Sequence, residues 1–278
     1  MNSVRRLSQD LSGEMTSYVK GLLNSPMNRD KIVIAIEGAD DRDFYERYLS
    51  RNKVVFGIMN GHKWTTTVLQ NLNPYFKERL AAINDADFSH LDGIEPEYEN
   101  LFVSDCHDWE MTVISAQRTN DIALSYNVTA NNAAKLHDDI ISKIRNYSYV
   151  RWANEQNEDT DKKIAFKANT HEFSNLSIKD CVDKLNSCQK ETQRHIDPDF
   201  VLEFESNRRD AEWEQLHNGH DYFRMLHTEI QHLKGIKDQP KKGDIISGYI
   251  ELYPKGEFVA TKLARSLSNW FAPRDIFN

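Results

Sequence analysis

The chain has 278 residues, of which 39% are hydrophobic and 28% charged, so it carries too much apolar material for a disordered protein. Its formal net charge of −8 excludes the global basic field of a simple nucleic-acid coat protein, and any contact with nucleic acid needs local basic patches or bound cations. No apolar stretch follows the first ten residues, and the apolar run Ile32–Ile36 is far shorter than the roughly 20 residues of a membrane span. We therefore expect a cytoplasmic protein without a membrane partner.

The first part of the chain alternates short apolar runs with amphipathic stretches. The predicted strands are residues 31–37, 54–59, 81–84 and 101–104, and the predicted helices are residues 7–23, 43–50 and 62–80. This alternation predicts a parallel α/β sheet flanked by helices.

The rest of the chain is predicted to be mostly helical. Apolar residues recur at helical spacing from Ala133, Ile178, Leu216 and Val259 onward. We predict an N-terminal helix within residues 1–30, an α/β domain over 31–155 and a helical C-terminal domain over 156–278. The polar segment 154–163 is the best candidate for their boundary.

Acidic side chains follow three of the predicted strands. They are Glu37 after the first strand, Asp85 and Asp87 after the third, and Asp105, Asp108 and Glu110 after the fourth. The carboxyl ends of parallel strands share one edge of a sheet, where ligand crevices form. Residues two apart in an extended chain point the same way, so we expect Asp85 and Asp87 to converge opposite Glu37.

Several carboxylates held close together repel one another unless a cation lies between them. Residues 85–110 contain nine Asp and Glu residues and no Lys or Arg. Carboxylate oxygens without paired His or Cys ligands suit Mg²⁺ or Mn²⁺, which bridge to phosphate oxygens. The pattern favours a metal site of Glu37, Asp85 and Asp87 that hydrolyses phosphodiesters.

Three further residues are candidates for supporting positions. Asp41 either lies near the metal or charges the first turn of the following helix, which is the role we assign to Asp40 and Asp43. Glu110 lies one turn into a predicted helix, so a surface position and a metal position both remain open. Lys63, at a predicted helix start, is the basic residue nearest the crevice and is a candidate phosphate contact.

The order of these motifs resembles a known family. A strand ending in Glu37-Gly38, followed by a strand ending in Asp85-Ala-Asp87, resembles the Toprim domain of topoisomerases, primases and overcoming-lysogenization-defect (OLD) nucleases. The strings 37–45 (EGADDRDFY), 107–110 (HDWE) and 219–223 (GHDYF) are similar to a stand-alone Toprim family found beside ABC-type ATPases, which includes the effector of the PARIS anti-phage system. The resemblance covers about the first 115 residues through motifs and the helical remainder only loosely.

The resemblance implies a Mg²⁺-dependent nuclease. It implies that Glu37 is the general base or a metal-side carboxylate, that Asp85 and Asp87 are metal ligands, and that Asp41 and Glu110 have supporting positions. The narrower resemblance further implies a toxic anti-phage effector that cleaves tRNA under the control of an ABC-type ATPase. Two alternatives remain, an OLD-like DNA nickase or nuclease and a non-catalytic subunit that binds such an ATPase, and the sequence leaves a homo-oligomer open.

Other reactive side chains favour structural roles. His217 and His220 are spaced three apart, but Gly219 interrupts the helical pattern and no third zinc ligand is evident, so a core or helix-start role is predicted. Cys181 and Cys188 lie on an apolar helical stripe and are predicted to be buried packing residues.

Overall fold

The computed structural model describes residues 2–156, 170–188, 195–234, 241–272 and 274–278. The chain divides into two compact units, which we call the sheet unit and the helical unit. The sheet unit comprises the residues up to 86 together with 94–105 and 253–278, and the helical unit comprises 87–93 and 106–252.

Among its described residues, the sheet unit contains four strands and five α-helices. The strands are β1 (Ile32–Ile36), β2 (Val54–Ile58), β3 (Leu80–Asn84) and β4 (Leu101–Val103), and the helices are α1 (Asn2–Asn24), α2 (Ala39–Tyr45), α3 (His62–Phe76), α13 (Lys255–Ala260) and α14 (Lys262–Trp270). All strand pairs are parallel, in the order β2-β1-β3-β4. The predicted α/β class with a parallel sheet is therefore confirmed.

The two central strands are buried along their whole length, as their continuous apolar sequences predict. Ile36, the last residue of β1, is in register with Ile58 of β2 and Ile83 of β3. This register brings the carboxyl ends of β1, β2 and β3 to one level at one edge of the sheet.

Helices α1 and α3 pack against the sheet through one apolar cluster. This cluster includes Val19 and Leu23 of α1, Val68 and Leu72 of α3, and Val33 of β1, all of them buried. The amphipathic spacing of both helices therefore reports a real core contact.

The C-terminal segment also belongs to the sheet unit. Tyr48, which follows α2, stacks on Phe258 of α13 with ring centroids 4.3 Å apart, and Phe44 contacts the same ring edge-on at 6.1 Å. Asn278 donates its backbone N–H to the carbonyl of Tyr48 at 2.9 Å. Residues 253–278 thus belong to the compact unit that contains the sheet.

Two helix boundaries differ from the predictions for a local reason. Helix α2 spans Ala39–Tyr45, not residues 43–50, because the Asp41 carboxylate accepts the Gly38 N–H at 2.6 Å and starts the helix one turn earlier. Helix α3 ends at Phe76, not at residue 80, because its chain tightens into a 3₁₀ turn over Lys77–Arg79 before β3 begins.

The helical unit contains nine helices within the described residues. They are α4 (Ser89–Asp92), α5 (Trp109–Val113), α6 (Ala116–Ser125), α7 (Ala130–Glu155), α8 (Ile178–Ser187), α9 (Pro198–Ser206), α10 (Trp213–Leu216), α11 (Gly219–Lys234) and α12 (Lys242–Leu252). Helix α7 supplies Tyr147 and Trp152 to a cluster that includes Cys181 of α8 and Phe204 of α9. The predicted helical character of this part of the chain is confirmed.

The predicted domain boundary falls partly outside the described residues. Residues 157–163 of the predicted linker lie outside the described residues, and residue 155 lies inside the helical unit. The limits 1–30, 31–155 and 156–278 therefore stay a prediction.

Cys188 is exposed, which corrects its predicted burial, whereas Cys181 is buried as expected. None of the helices in the described ranges combines the length and the apolarity needed to cross a bilayer.

Candidate functional site

Glu37 and Asp85 lie side by side at the carboxyl edge of the sheet. Each follows directly after a central strand, Glu37 after β1 and Asp85 after β3, and the two strands are neighbours. The backbone N–H of Asp85 donates to Glu37 Oε1 at 3.2 Å. Both residues are only partly buried. This predicted pair is therefore brought together within one unit, at the edge where α/β sheets bind their ligands.

The start of α3 lies at the same edge. The backbone N–H of Gly61 donates to the carbonyl oxygen of Glu37 at 3.2 Å, and Gly61 adopts a φ of +135°, which favours glycine. Lys63 occupies the first turn of this helix, is exposed, and holds its Nζ 5.1 Å from the centre of the Trp64 ring. A cation thus stands in the first turn of a helix at the carboxyl edge, as a phosphate contact requires.

Asp41 has a structural role at this edge. Its Oδ2 accepts the Gly38 N–H at 2.6 Å, which satisfies a backbone donor at the start of α2. Asp40 lies beside it in the first turn and is exposed, in keeping with the predicted role of charging that turn.

Asp87 departs from the predicted geometry. Strand β3 ends at Asn84, and Asp87 has a φ of +47°, so the chain is not extended from Asp85 to Asp87. The argument that residues two apart in an extended chain point the same way is therefore wrong there. Asp87 belongs to the helical unit, where its N–H donates to the carbonyl of His107 at 2.8 Å. Its place beside Glu37 and Asp85 in one metal site stays a prediction.

Asp105, the first acid after β4, caps a helix. Its two carboxylate oxygens accept the backbone N–H groups of Lys262 and Leu263 at 2.5 and 2.7 Å, in the first turn of α14. The sequence gives no local signal for this contact because the partners are more than 150 residues away. One of the acids that follow strands is therefore a helix cap.

Asp108 lies fully inside the helical unit and joins two helix starts. Its Oδ1 accepts the N–H of Met111 in α5, and its Oδ2 accepts the N–H of Gly219 in α11, both at 2.7 Å. Burial, followed by the negative charge of Glu110, raises the pKa of Asp108 well above its ordinary value, against the opposing effect of the two N–H groups. The carboxyl group is thus held by the protein itself.

Glu110 is 4% exposed, which excludes the surface position that the sequence left open. Its Oε1 lies 2.7 Å from His220 Nδ1. The hydrogen bond with Glu110 raises the pKa of His220 above its ordinary value, in spite of partial burial. The two short motifs at 107–110 and 219–223 therefore meet in space, through the Asp108 to Gly219 bond and the Glu110 to His220 pair.

A second ion pair lies beside this cluster. Arg151 of α7 and Asp221 of α11 approach to 2.5 Å, and although burial lowers the pKa of Arg151, the Asp221 carboxylate raises it above its ordinary value. Burial, followed by the charge of Arg151, lowers the pKa of His107 to about 4, so His107 is neutral at neutral pH. Its Nδ1 lies 3.2 Å from the carbonyl of Gln215.

His217 occupies the core, as predicted. It is fully buried, and its Nδ1 lies 2.8 Å from the Ser148 hydroxyl. Burial, followed by the positive charge of Arg145, lowers its pKa to about 3. The two histidines therefore have different partners, Ser148 for His217 and Glu110 for His220.

The carboxylate pair of the sheet unit suits a hard divalent cation in its chemistry. Within the described part of the chain, no group of three or more His, Cys, Asp or Glu side chains is arranged to hold a metal ion. Mg²⁺ commonly takes only one or two protein carboxylates and fills its remaining positions with water and phosphate oxygens. Glu37 and Asp85 supply two carboxylates at this edge of the sheet.

Comparison with known proteins gives no relative. No family model, no curated protein and no solved structure matches the chain.

Sequence reasoning missed the structural partners of the acids more than the acids themselves. The sequence patterns do not single out Arg151, and they give Gly219 only as part of the string 219–223 and as an interruption of a helical pattern. The adjacent polar residues His220 and Asp221 at the start of an amphipathic helix were the available signal, because neither fits the apolar stripe that follows them.

Proposed function

We propose that this chain is a metal-dependent nuclease of the Toprim type that hydrolyses nucleic-acid phosphodiesters. The observation that carries the proposal is the contact between the Asp85 N–H and Glu37 Oε1 at the ends of neighbouring central strands. The motif order of the sequence and the strand order β2-β1-β3-β4, with both acids on central strands, support it further.

Glu37 and Asp85 are the residues that would hold Mg²⁺ in the sheet unit, and Asp87 is the third ligand that the family resemblance implies. When bound, the ion supplies Lewis-acid stabilisation of the phosphate and lowers the pKa of a bound water. Glu37 would then orient or deprotonate the attacking water, beside the Asp85 N–H that its Oε1 accepts. Lys63 attracts the phosphate from the first turn of α3.

The substrate and the partner are proposed at a finer level. The strings 37–45, 107–110 and 219–223 favour tRNA as the substrate and an ABC-type ATPase as the controlling partner of a toxic anti-phage effector. The second and third strings contact each other in the helical unit, through the Asp108–Gly219 hydrogen bond and the Glu110–His220 pair. This contact supports the narrower resemblance, because it gives one structural explanation for the presence of both strings. DNA is the competing substrate.

The test compares the wild-type chain with Glu37→Gln, which keeps the shape and removes the charge. Purified protein is incubated with Mg²⁺ and either total tRNA or supercoiled plasmid, alone and with the activated ATPase complex. We expect tRNA cleavage by the wild type and a loss of at least about 100-fold in Glu37→Gln, the usual size of a lost general base. Mg²⁺ binding, measured by titration calorimetry, should weaken in parallel.

Asp40→Asn is the matched control, because Asp40 is an exposed acid in the first turn of α2 and holds no proposed ligand. It should retain cleavage and Mg²⁺ binding. Full cleavage by a clean preparation of Glu37→Gln would overturn the nuclease assignment, and cleavage of plasmid alone would replace tRNA by DNA as the substrate.

A further inference from the structure

A cavity of about 340 Å³ lies in the sheet unit, away from the carboxylate pair. Its lining combines residues 77 and 78, before β3, with residues 270–272 at the end of α14 and residue 274. Residue 77 lies at the amino end of β3, whereas Asp85 follows its carboxyl end, and the five residues of this strand separate the two places by roughly 16 Å. The cavity is therefore distinct from the candidate metal site. It is at the small end of the range for ligand pockets, roughly 300–1,000 Å³, and suits one small molecule.

The cavity gathers positive charge in a protein whose net charge is −8. Lys77 and Arg274 line it, together with one carboxylate, Glu78. Beside the cavity, burial, followed by the positive charge of Arg274, lowers the pKa of Arg79 below its ordinary value. The cavity itself is lined by the cations of Lys77 and Arg274, and an anion bound there would interact favourably with both.

The cations have weak or neutral partners. Lys77 pairs with Glu99 at 2.7 Å, but both side chains are largely exposed, and such surface pairs contribute little. Arg79 donates to the backbone carbonyls of Asn28 and Lys31, which are uncharged, and the Asp30 carboxylate raises its pKa only as the smallest of three effects. Within the described residues no carboxylate forms an ion pair with Arg79 or Arg274. The site therefore offers charged donors to an incoming anion.

One wall of the cavity is aromatic. Trp270 and Phe271 line it, and Phe102 fixes the Trp270 ring by an edge contact with centroids 6.4 Å apart. Lys77 Nζ lies 5.5 Å from the centre of the Trp270 ring. Trp270 is only partly buried, so it presents ring surface beside the cations. A planar ring and an anionic group could be held here by one molecule.

We propose that this cavity binds a nucleotide, with its base against Trp270 and its phosphate between Lys77 and Arg274. Aromatic stacking and charge-assisted hydrogen bonds are the two interactions that a base joined to a phosphate makes at once. The nucleotide is either free or the 5′-phosphorylated end of a strand, since both carry the same groups. The proposal does not depend on nuclease activity, because its ligand binds at the other end of the sheet.

The test measures binding to the full-length chain at equilibrium, by titration calorimetry without Mg²⁺. The probes are AMP, adenosine, inorganic phosphate, and a short single-stranded RNA with and without a 5′-phosphate. We expect AMP to bind with a Kd at or below about 1 mM and more tightly than adenosine or phosphate alone. Whichever of AMP and the 5′-phosphorylated RNA binds more tightly identifies the source of the nucleotide.

Arg274→Gln should weaken AMP binding about tenfold, as the loss of one charge-assisted contact does. Trp270→Leu should weaken AMP binding but leave phosphate binding unchanged. Arg265→Gln is the matched control, because it removes the same charge from an exposed position on α14 outside the cavity, and it should bind like the wild type. Absence of AMP binding at millimolar concentration, equal affinity for AMP and phosphate, or unchanged binding by Arg274→Gln would overturn the proposal.

Discussion

The carboxyl edge of the sheet and the acid cluster of the helical unit contain the same kind of residue in different environments. At the edge, Glu37 and Asp85 are partly buried, and one backbone N–H joins them. In the cluster, Asp108 and Glu110 are almost completely buried and are held by two helix N–H groups and by His220. The acids of the first region keep access to solvent and ligands, whereas those of the second hold helices together.

Burial and hydrogen-bond partners, and not sequence spacing, distinguish the acids with a structural role from those that can bind a ligand. A buried carboxylate persists only when hydrogen bonds or an opposite charge compensate its lost hydration. Asp108 and Glu110 have that compensation within the protein, so their removal should damage stability first. Glu37 and Asp85 lie where a cation can approach, so their removal should damage ligand binding first.

The most sensitive position of the acid cluster is Gly219. A Cβ on this residue would lie 2.2 Å from Glu110 Cβ and 2.7 Å from Asp108 Oδ1. Because both neighbours are buried and held in place, we expect Gly219→Ala to lower the free energy of unfolding by about 3 kcal/mol or more. Urea unfolding followed by tryptophan fluorescence measures the loss.

Gly243→Ala is the matched control for this substitution. Gly243 lies in the first turn of α12, and a Cβ there meets nothing within 4 Å, so the change should be neutral or stabilise by about 0.5 kcal/mol. Equal stability of the two variants would mean that α11 does not pack against the acids as described.

Asp108→Ala tests the two helix starts directly. The substitution leaves the N–H groups of Met111 and Gly219 without their acceptor inside the unit, at an expected cost of about 2–3 kcal/mol. Asp105→Ala removes a comparable pair of bonds from the start of α14 at a less buried place, and should cost about 1 kcal/mol. The same urea experiment compares them, and a larger loss in Asp105→Ala would reverse the assigned order.

His217 predicts a pH dependence of the helical unit. In the unfolded chain its pKa is 6.5, and burial, followed by the charge of Arg145, lowers it to about 3 in the folded protein. The folded state therefore binds fewer protons between these values, so stability is full above pH 6.5 and falls as the pH decreases toward 3. At pH 5 this residue alone accounts for a loss of about 2 kcal/mol.

His217→Gln should remove that part of the loss. Between pH 7.5 and pH 5, its free energy of unfolding should fall by about 2 kcal/mol less than that of the wild type, measured by urea unfolding at each pH. His62→Gln replaces an exposed histidine and should fall like the wild type. Parallel pH profiles for His217→Gln and the wild type would show that His217 is not held neutral by burial.

Local sequence patterns predicted the strands well and the roles of the acids poorly. The apolar runs of β1 and β3 are buried on both faces and are recognisable without any partner. The role of Asp105 depends on α14, more than 150 residues away, and the burial of Glu110 depends on His220. The conformation of Asp87 was missed for a local reason, since β3 ends before Asp85 and a left-handed residue follows. Contacts between distant segments carry no periodic signal, so the edge could be predicted and the cluster could not.

Asp41 follows β1 at the carboxyl edge but, like the acids of the cluster, holds the start of a helix. Its substitution has the smallest expected effect. Its Oδ2 accepts the Gly38 N–H at 2.6 Å, so Asp41→Ala should lower stability by about 1 kcal/mol through the lost cap of α2. Asp40→Ala, in the same turn, should cost about 0.3 kcal/mol because only the interaction with the helix dipole is lost.

Thermal unfolding and Mg²⁺ titration of the Asp41→Ala and Asp40→Ala variants measure stability and metal affinity separately. If Asp41 serves the helix alone, Mg²⁺ affinity stays within about twofold of the wild type while Glu37→Gln loses it. A loss of Mg²⁺ affinity as large as that of Glu37→Gln, at unchanged stability, would instead place Asp41 among the ligands and extend the carboxylate pair to a group of three.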